Sequence, residues 1–516
     1  METSEARYAE ISREMLKDSD YIHPKLLGIY HYHKPPITYQ ITALGYKIFG
    51  VNEFGARFFL QLSIIIQLLL IYKIAIILFK NKDIALTASL IYFSLPIVLI
   101  SSRNLTTDAY LNTFVLLSIY SWLNWKLKTH KSIYIYLFYF GLGISFEIKG
   151  PVSLIFPLVF ILIYKLINKE SWKLKIHHIL GILLFFVVAS AWYVAVVLEN
   201  EKLWDYFFRD QIVNRIASKS YNRAKPFWFY LVTVPLIGFP WIFVLGHYIK
   251  KQWKNISNSK NHEFTLFLTV LSLVVIFSIF KTKLILYVLP LFGFVAIASA
   301  KALYNSSMKK LFVYNKFILI TIIVVLIGII GIRFLNFGFN FDIISAIIIS
   351  LVSLTSTVFI FKIISHNQPL KTATLGFILG CTILVSGTQF LIQNESALNS
   401  PKQAIQFINT DLNKSENILV FNYLLASTEF YSDKNVITLN NGHNTVQRET
   451  QFETDTNWER NLIDLKTETG KIQSQKLLES QSVVIMRKRD NSRDYVKFIE
   501  HYLKNKKEFG TWLIYY

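Results

Sequence analysis

The stretch FFLQLSIIIQLLLIYKIAIILF at residues 58–79 carries a single charged side chain, Lys73. About 20 apolar residues suffice to cross the hydrocarbon core of a bilayer as a helix. Similar runs recur along the 516 residues, of which 53% are hydrophobic and 17% charged, whereas soluble chains carry about 25% charged residues. Because a bilayer offers no water to backbone groups, so apolar a chain must form helices there. The sequence predicts an α-helical polytopic membrane protein.

The apolar runs predict about twelve membrane spans between residues 58 and 393. The expected spans are 58–79, 84–102, 109–125, 132–146, 151–167, 177–198, 227–249, 264–280, 284–302, 313–334, 342–362 and 373–392.

Lysines cluster in alternate connections between these runs, and they account for much of the formal net charge of +21. The basic connections lie at 80–82, 126–131, 169–175, 250–260, 301–310 and 362–371. The positive-inside rule assigns them to the cytoplasm. Positive charge at helix ends indicates membrane topology, so no nucleic-acid partner is expected. Residues 1–57, the remaining connections and everything after 393 are then external.

The first ten residues, METSEARYAE, contain three glutamates and an arginine, unlike a signal peptide or a membrane helix. The topology nevertheless places residues 1–57 outside as a loop with interfacial helices. We therefore expect a further transmembrane helix encoded before Met1.

The composition changes after Asn394, and short apolar runs follow at 417–421, 435–439, 482–486 and 511–516. Polar stretches of helical character separate these runs. The pattern predicts a small soluble α/β domain over residues 394–516.

Ionisable residues collect in the external connections, while the helix centres hold almost none. A proton-coupled transporter would place charge near the middle of the membrane. Chemistry at the membrane surface on a lipid-linked phosphate needs cations for the phosphate and a carboxylate for the incoming hydroxyl. The external candidates for those roles are Glu5, Arg7, Tyr8, Lys34, Asp108, Lys149, Lys281, Lys283 and Tyr287.

Several motifs resemble the GT-C membrane glycosyltransferases, in the branch of aminoarabinose transferases and protein O-mannosyltransferase relatives. The motifs are SEARYAEISREML (4–16), HYHKPPITYQITAL (31–44), FGVNEFGARF (49–58), RNLTTDAYLNTF (103–114), IKGP (148–151), KPFWFY (225–230), FPW (239–241) and KTKLILYVLP (281–290). The resemblance covers residues 1–293. It implies a GT-C fold of about thirteen helices, an external domain and a polyprenyl-phosphate sugar donor. It also implies inverting transfer to an external acceptor, which could be lipid A, another surface glycan or a protein.

The resemblance suggests roles for the candidates. Glu5, Asp108 and Lys34 are expected to be catalytic, with Glu5 as the base and Asp108 orienting Lys34. The set expected to bind the donor phosphate is Arg7, Tyr8, Lys149, Lys281, Lys283 and Tyr287. At two positions the sequence differs from the motifs of the family. Ser4 stands where the family usually has an aspartate, and His33 stands where one branch has a glutamate. Glu2 and Asp108 therefore remain alternatives for the base.

Each candidate also has an ordinary structural interpretation. Glu5 could cap a helix or pair at the surface, Asp108 could be a helix N-cap, and Lys149 could extend along a helix end. Lys281, Lys283 and Tyr287 could be interfacial anchors. His31 and His33 alone are weak evidence for a metal, so no metal site is predicted, although the activity could use a divalent cation.

The sequence is compatible with more than one function. The leading one is a glycosyltransferase in a bacterial inner membrane with its active site and C-terminal domain outside. The alternatives are a ligase for lipid-linked glycans, a transporter of a lipid-linked sugar, and a non-catalytic protein that binds the carrier.

Overall fold

The structure is a computed structural model that describes residues 3–171, 175–213, 224–257, 262–334, 338–395, 397–443, 446–491 and 494–516. Two compact units make up the chain. The first comprises residues 1–59, 336–340 and 390–516, and the second comprises 60–335 and 341–389. We call the first the mixed unit and the second the helical unit.

The mixed unit begins with α1 (Thr3–Asp18), a two-stranded hairpin of β1 (Lys25–Leu26) and β2 (Ile29–Tyr30), and α2 (Ile37–Phe49). Helix α3 (Glu53–Phe79) begins here and continues into the helical unit. The hydroxyl of Tyr46 in α2 donates to the carbonyl of Ala9 in α1 at 3.1 Å. A Cβ on Gly45 would meet the carbonyl oxygen of Gly55 at 2.3 Å, so glycine lets α2 and the start of α3 approach closely.

After α3, the described part of the helical unit continues with seven α-helices up to residue 205. They are α4 (Lys82–Ser94), α5 (Pro96–Arg103), α6 (Thr107–Asn124), α7 (Ile133–Lys149), α8 (Ile155–Asn168), α9 (Ile176–Glu199) and the single turn α10 (Lys202–Asp205). Later in the chain come α11 (Phe229–Ile237), α12 (Trp241–Ser257), α13 (His262–Ile279), α14 (Leu291–Tyr304), α15 (Met308–Gly331), α16 (Ile343–Ile363) and α17 (Gln368–Gln393). Short 3₁₀ or π segments include Trp125–Thr129, Pro151–Leu154, Tyr206–Val213 and Ile285–Val288.

Within the described residues, seven helices are long and apolar enough to cross a membrane, and nine spans result if each of two bent pairs counts as one. The pairs are α4 with α5, bent by 62°, and α11 with the start of α12, bent by 108°. These nine correspond to nine of the twelve expected spans. The other three fall on α6, α7 and the 14-residue α14, and the number twelve stays a prediction.

Helix α6 differs from the outer helices because it is buried almost throughout, including its polar side chains. Asn112 donates to Gln67 Oε1 at 3.0 Å, and the hydroxyl of Tyr92 donates to the same oxygen at 2.6 Å. Polar groups buried in this way need partners, which explains a helix at the centre of the unit that is less apolar than its neighbours.

The C-terminal part of the mixed unit holds a six-stranded sheet in the order β5-β4-β3-β6-β8-β7. Its strands are β3 (Asn417–Phe421), β4 (Asn435–Asn440), β5 (Leu462–Asp464), β6 (Ser482–Arg487), β7 (Lys506–Phe509) and β8 (Trp512–Tyr515). Strands β3 to β6 are parallel to one another, and β7 and β8 add an antiparallel edge.

Helices α18 (Lys402–Thr410), α19 (Ala426–Tyr431), α20 (Val446–Glu449), α21 (Glu468–Glu479) and α22 (Asp494–Tyr502) accompany this sheet. Apolar residues from the two faces of the strands form two buried clusters, one including Leu419, Val484 and Ile499 and the other Ile418, Ile485 and Trp512. A parallel sheet covered on both faces is an α/β domain. The expected fold class, a polytopic helical membrane protein with a small C-terminal α/β domain, is confirmed.

Candidate functional site

An ion pair joins Asp108 and Lys149 in the helical unit. Asp108 is the second residue of α6, and Lys149 is the last residue of α7. Successive antiparallel helices bring the start of one beside the end of the next, and the paired charges also complement the two helix dipoles. The ammonium of Lys149 donates to Asp108 Oδ1. Thr106 holds the N-cap position, so the interpretation of Asp108 as an N-cap is wrong.

The same lysine contacts an aromatic ring. Lys149 Nζ lies 4.2 Å from the ring centroid of Tyr287, a cation–π distance, and the Lys149 side chain is 9% exposed. Gly150 follows at φ 72°, where a side chain would be strained, and Pro151 opens the next turn. The Lys-Gly-Pro sequence thus ends α7 sharply and holds Lys149 at its final position. Three of the sequence candidates, Asp108, Lys149 and Tyr287, come together here.

The segment 281–284 pairs with residues 224–230 in the same unit. Lys225 donates its N–H to the carbonyl of Lys281 at 3.1 Å. Lys283 is 2% exposed, and its ammonium donates to the carbonyl of Lys225 at 3.0 Å and to that of Phe280. Backbone acceptors thus hold the Lys283 ammonium in place. Its expected contact with a phosphate, like that of Lys281, stays a prediction.

In the mixed unit, Glu5 is held by Arg57. Arg57 Nε donates to Glu5 Oε1 at 2.9 Å, and Arg57 Nη2 lies 2.8 Å from Glu5 Oε2. This two-point contact fixes the plane of the carboxylate. Glu2, the alternative base near the terminus, lies outside the described residues.

The neighbouring candidates Arg7 and Tyr8 also lie on α1. The Tyr8 ring packs against Tyr39 with centroids 5.2 Å apart.

The segment that carries Lys34 also contains His31. Burial is the main cause that holds the pKa of His31 well below its usual value, and the nearby charges of His33 and Arg7 act in the same direction. Lys34 follows His33 and precedes Pro35 and the start of α2. Its expected pairing with Asp108 stays a prediction, and the partner of Asp108 that the helical unit supplies is Lys149.

A second charged network in the mixed unit was not expected from the sequence. Arg13 donates to both carboxylate oxygens of Glu10, at 2.7 and 2.9 Å, and to Glu429 Oε2 at 2.6 Å. Glu14, one turn after Glu10 on the same face of α1, accepts the N–H groups of Leu27 and Gly28. The network joins α1 to α19 and to the turn of the hairpin.

Burial dominates the electrostatics of this network. It raises the pKa of Glu10 well above the usual value, and with the nearby charge of Glu429 it raises the pKa of Glu14 to about 7. Single carboxylate oxygens of Glu10, Glu14 and Glu429 lie within 4.8 Å of one another, as metal ligands would. Arg13 and the two backbone N–H groups already bind these oxygens. The donor set therefore fits a structural connection rather than a metal centre.

The sequence contains an indication for only part of this charged network. Glu10, Arg13 and Glu14 have the i, i+3, i+4 spacing that places side chains on one face of a helix. Glu429 is 416 positions from Arg13, and nothing in a single sequence connects them.

Residues 1–207 match the family model described as dolichyl-phosphate-mannose-protein mannosyltransferase. The fold matches ArnT from Cupriavidus metallidurans, solved with undecaprenyl phosphate, with a TM-score of 0.79 at 18% identity, covering 100% of this chain and 93% of that one. The same protein in its apo state gives a TM-score of 0.78. The GT-C fold is thus confirmed.

Two curated relatives are similar in sequence. The chain is 33% identical over 302 residues to the undecaprenyl phosphate-alpha-4-amino-4-deoxy-L-arabinose arabinosyl transferase of Photorhabdus laumondii, which is 58% of this chain and 54% of that protein. It is 32% identical over 301 residues to the second such transferase of Proteus mirabilis, with the same coverage. The chain therefore spans about half the length of the curated relatives it matches. These comparisons confirm the resemblance to the aminoarabinose transferase and protein O-mannosyltransferase branch.

Proposed function

We propose that this protein transfers a sugar from a polyprenyl-phosphate donor to an acceptor at the external face of a bacterial inner membrane. The matched family model and relatives support the reaction class. The solved protein of the same fold was bound to undecaprenyl phosphate, which supports the class of carrier. Lipid A, another surface glycan and a protein remain the candidate acceptors.

The observation that carries the proposal is the ion pair of Lys149 and Asp108 beside Tyr287. In an inverting transfer, the bond from the anomeric carbon to the phosphate oxygen breaks as a bond to the acceptor oxygen forms. Polyprenyl phosphate leaves with the bonding electrons, so a cation at its oxygens lowers the barrier. We assign that task to Lys149, with Asp108 orienting the ammonium and Tyr287 limiting its movement.

The acceptor hydroxyl must lose its proton as it attacks the anomeric carbon. We assign the base to Glu5, whose carboxylate plane Arg57 fixes. Ser4, at the position where the family usually has an acid, is too weak a base near neutral pH. Lys34, Arg7, Tyr8, Lys281 and Lys283 complete the proposed set of donor contacts.

The test is transfer by purified full-length protein, followed as release of polyprenyl phosphate and labelling of acceptor. The relatives' donor, undecaprenyl phosphate-linked aminoarabinose, is the first donor to supply. Lys149→Ala and Asp108→Asn should each lower turnover by about 10²-fold or more, because each removes charge stabilisation that develops in the transition state.

The matched control is Lys126→Ala, which breaks the 2.8 Å ion pair with Glu170 in a connection expected on the cytoplasmic side. Its turnover should stay close to that of the wild type. Equal turnover in Lys149→Ala and Lys126→Ala would contradict the assigned role. Movement of labelled donor between leaflets without bond cleavage would support the transporter instead, and transfer of whole glycans would support the ligase.

A further inference from the structure

The sheet of the mixed unit contains a reversal in strand order. The chain proceeds from β3 outward to β4 and β5, and then β6 returns to the other side of β3. In parallel sheets of this kind, the connections leave the two central strands in opposite directions. That divergence opens a crevice at their carboxyl ends, where ligands of α/β domains bind. In this sheet the strand order reverses between β3 and β6, so the rule points to the carboxyl ends of these two strands.

Cationic and aromatic side chains occupy that end of the sheet. Arg487 is the last residue of β6, and it lies opposite Trp512 of the neighbouring strand. Its guanidinium carbon is 4.4 Å from the ring centroid of Tyr423, which follows β3, and 5.1 Å from that of Trp512. Exposed Lys488 and Arg489 come next in the chain. Ring faces can support a guanidinium while its edge still donates hydrogen bonds.

Two polar groups at this end have unused hydrogen-bonding capacity. Among the residues that the structure describes, the buried Nε of Arg487 has no acceptor, and the buried hydroxyl of Thr511 has no partner. The two residues are close in the fold, since Lys488 donates its N–H to the carbonyl of Thr511 at 2.9 Å. A buried charged donor without an acceptor lowers the stability of the folded state. A ligand oxygen would remove that destabilisation.

The other groups at this end are held in place. The hydroxyl of Tyr423 donates to Asp490 Oδ2 at 3.0 Å and accepts from Arg489 Nη2 at 2.6 Å. Asp490 is 1% exposed, so its charge is directed inward to Tyr423. Lys488 pairs with Glu508 at 2.6 Å. Among the side chains described at the carboxyl end of β6, the carboxylate of Asp490 is bound by Tyr423 and that of Glu508 by Lys488, and Arg487 and Arg489 add two further positive charges.

We propose that the carboxyl end of β3 and β6 is a binding site for an oxyanion, the phosphate of a phosphorylated sugar. Arg487 supplies a supported guanidinium with a free donor, and Arg489 supplies a second, exposed guanidinium. Arginine forks match the oxygens of phosphate in two-point contacts. Only the role of the site, recognition of a phosphorylated acceptor, rests on the transfer reaction proposed above.

Isothermal titration of the full-length protein in detergent, without any donor, tests the binding. The probes are inorganic phosphate, glucosamine 1-phosphate and, as the counterpart without a phosphate, glucosamine. Arg487→Met retains the aliphatic stem but removes the guanidinium, and it should weaken phosphate binding roughly tenfold or more. Arg489→Met should act in the same direction and lies at the surface, where folding is not at stake.

The matched control is Arg460→Met, an exposed arginine that precedes β5 at the opposite end of the strand. Its phosphate affinity should equal that of the wild type. Tighter binding of glucosamine 1-phosphate than of inorganic phosphate supports a sugar phosphate. Equal affinities overturn the sugar part of the proposal and leave the free anion as the ligand. Absence of phosphate binding, or equal affinity in the wild type, Arg487→Met and Arg489→Met, overturns the site. Because no donor is present, loss of transferase activity cannot produce either result.

Discussion

Replacing Glu14 by glutamine should remove pH dependence from the packing of the hairpin turn against α1. Glu14 is 6% exposed and accepts the N–H groups of Leu27 and Gly28. Burial raises its pKa from an ordinary value near 4.5 to about 7. A carboxyl whose pKa is higher in the folded protein favours folding at low pH, and that advantage is lost as the pH rises through the folded value.

The magnitude follows from the two pKa values. A shift of one unit corresponds to about 1.4 kcal/mol. For Glu14, linkage between values near 4.5 and about 7 gives a loss of about 2–3 kcal/mol between pH 5 and pH 8. This loss corresponds to an increase on the order of 10²-fold in the population of the open turn. Glu14→Gln keeps the side-chain shape and an acceptor oxygen but cannot ionise. Its opening free energy should therefore lack this change of about 2–3 kcal/mol over the same pH range.

Hydrogen exchange of the Leu27 and Gly28 amides, corrected for the intrinsic exchange rate at each pH, measures this free energy directly. The matched control is Glu459→Gln, an exposed carboxyl in the same unit, which should retain the wild-type slope. If Glu14→Gln retains that slope as well, Glu14 is ionised in the folded protein and the reasoning from burial is refuted.

Two further predictions concern transfer itself. Lys34→Ala and Asp108→Ala should each abolish most turnover. Because the two residues are predicted to act as one unit, the double variant should be little worse than either single variant. Fully additive losses in measured kcat/KM would exclude the pairing. Glu5→Gln should lower kcat by about 10²–10⁴-fold while donor binding measured by titration remains largely intact. Normal turnover in Glu5→Gln together with inactive Asp108→Asn would place the base elsewhere and leave Glu5 as the partner of Arg57.

Much of the fold could be predicted because apolar patterning determines both helices and buried strands. The runs expected at 417–421, 435–439 and 482–486 coincide with the strands β3, β4 and β6 to within one residue. The sequence did not predict β5 or β7. Strand β5 has three residues, and β7 has the sequence KKEF with an exposed surface. An edge strand needs no apolar face, so periodicity cannot reveal it.

The candidate site was predictable to the extent that chain connectivity dictates contacts. A short connection between α6 and α7 requires antiparallel helices, so the start of one and the end of the other meet, and Asp108 pairs with Lys149. Both residues are recognisable in the sequence, from which a pairing of Asp108 with Lys34 is also expected and stays a prediction. Choosing between two lysines requires distances that a motif does not contain.

The contacts of Arg13 could not be predicted from chain connectivity. They show that the burial of a charged side chain must be known before its contribution can be judged. In the sequence, Glu10, Arg13 and Glu14 look like an ordinary exposed face of a polar helix, where such pairs contribute little. In the structure, Glu10 is 0% exposed and Arg13 also binds Glu429 of α19. Once α19 covers α1, removal of any one member leaves buried charge without compensation. The same three residues thus change from a surface feature to the connection between α1 and the α/β domain, and only the fold decides which they are.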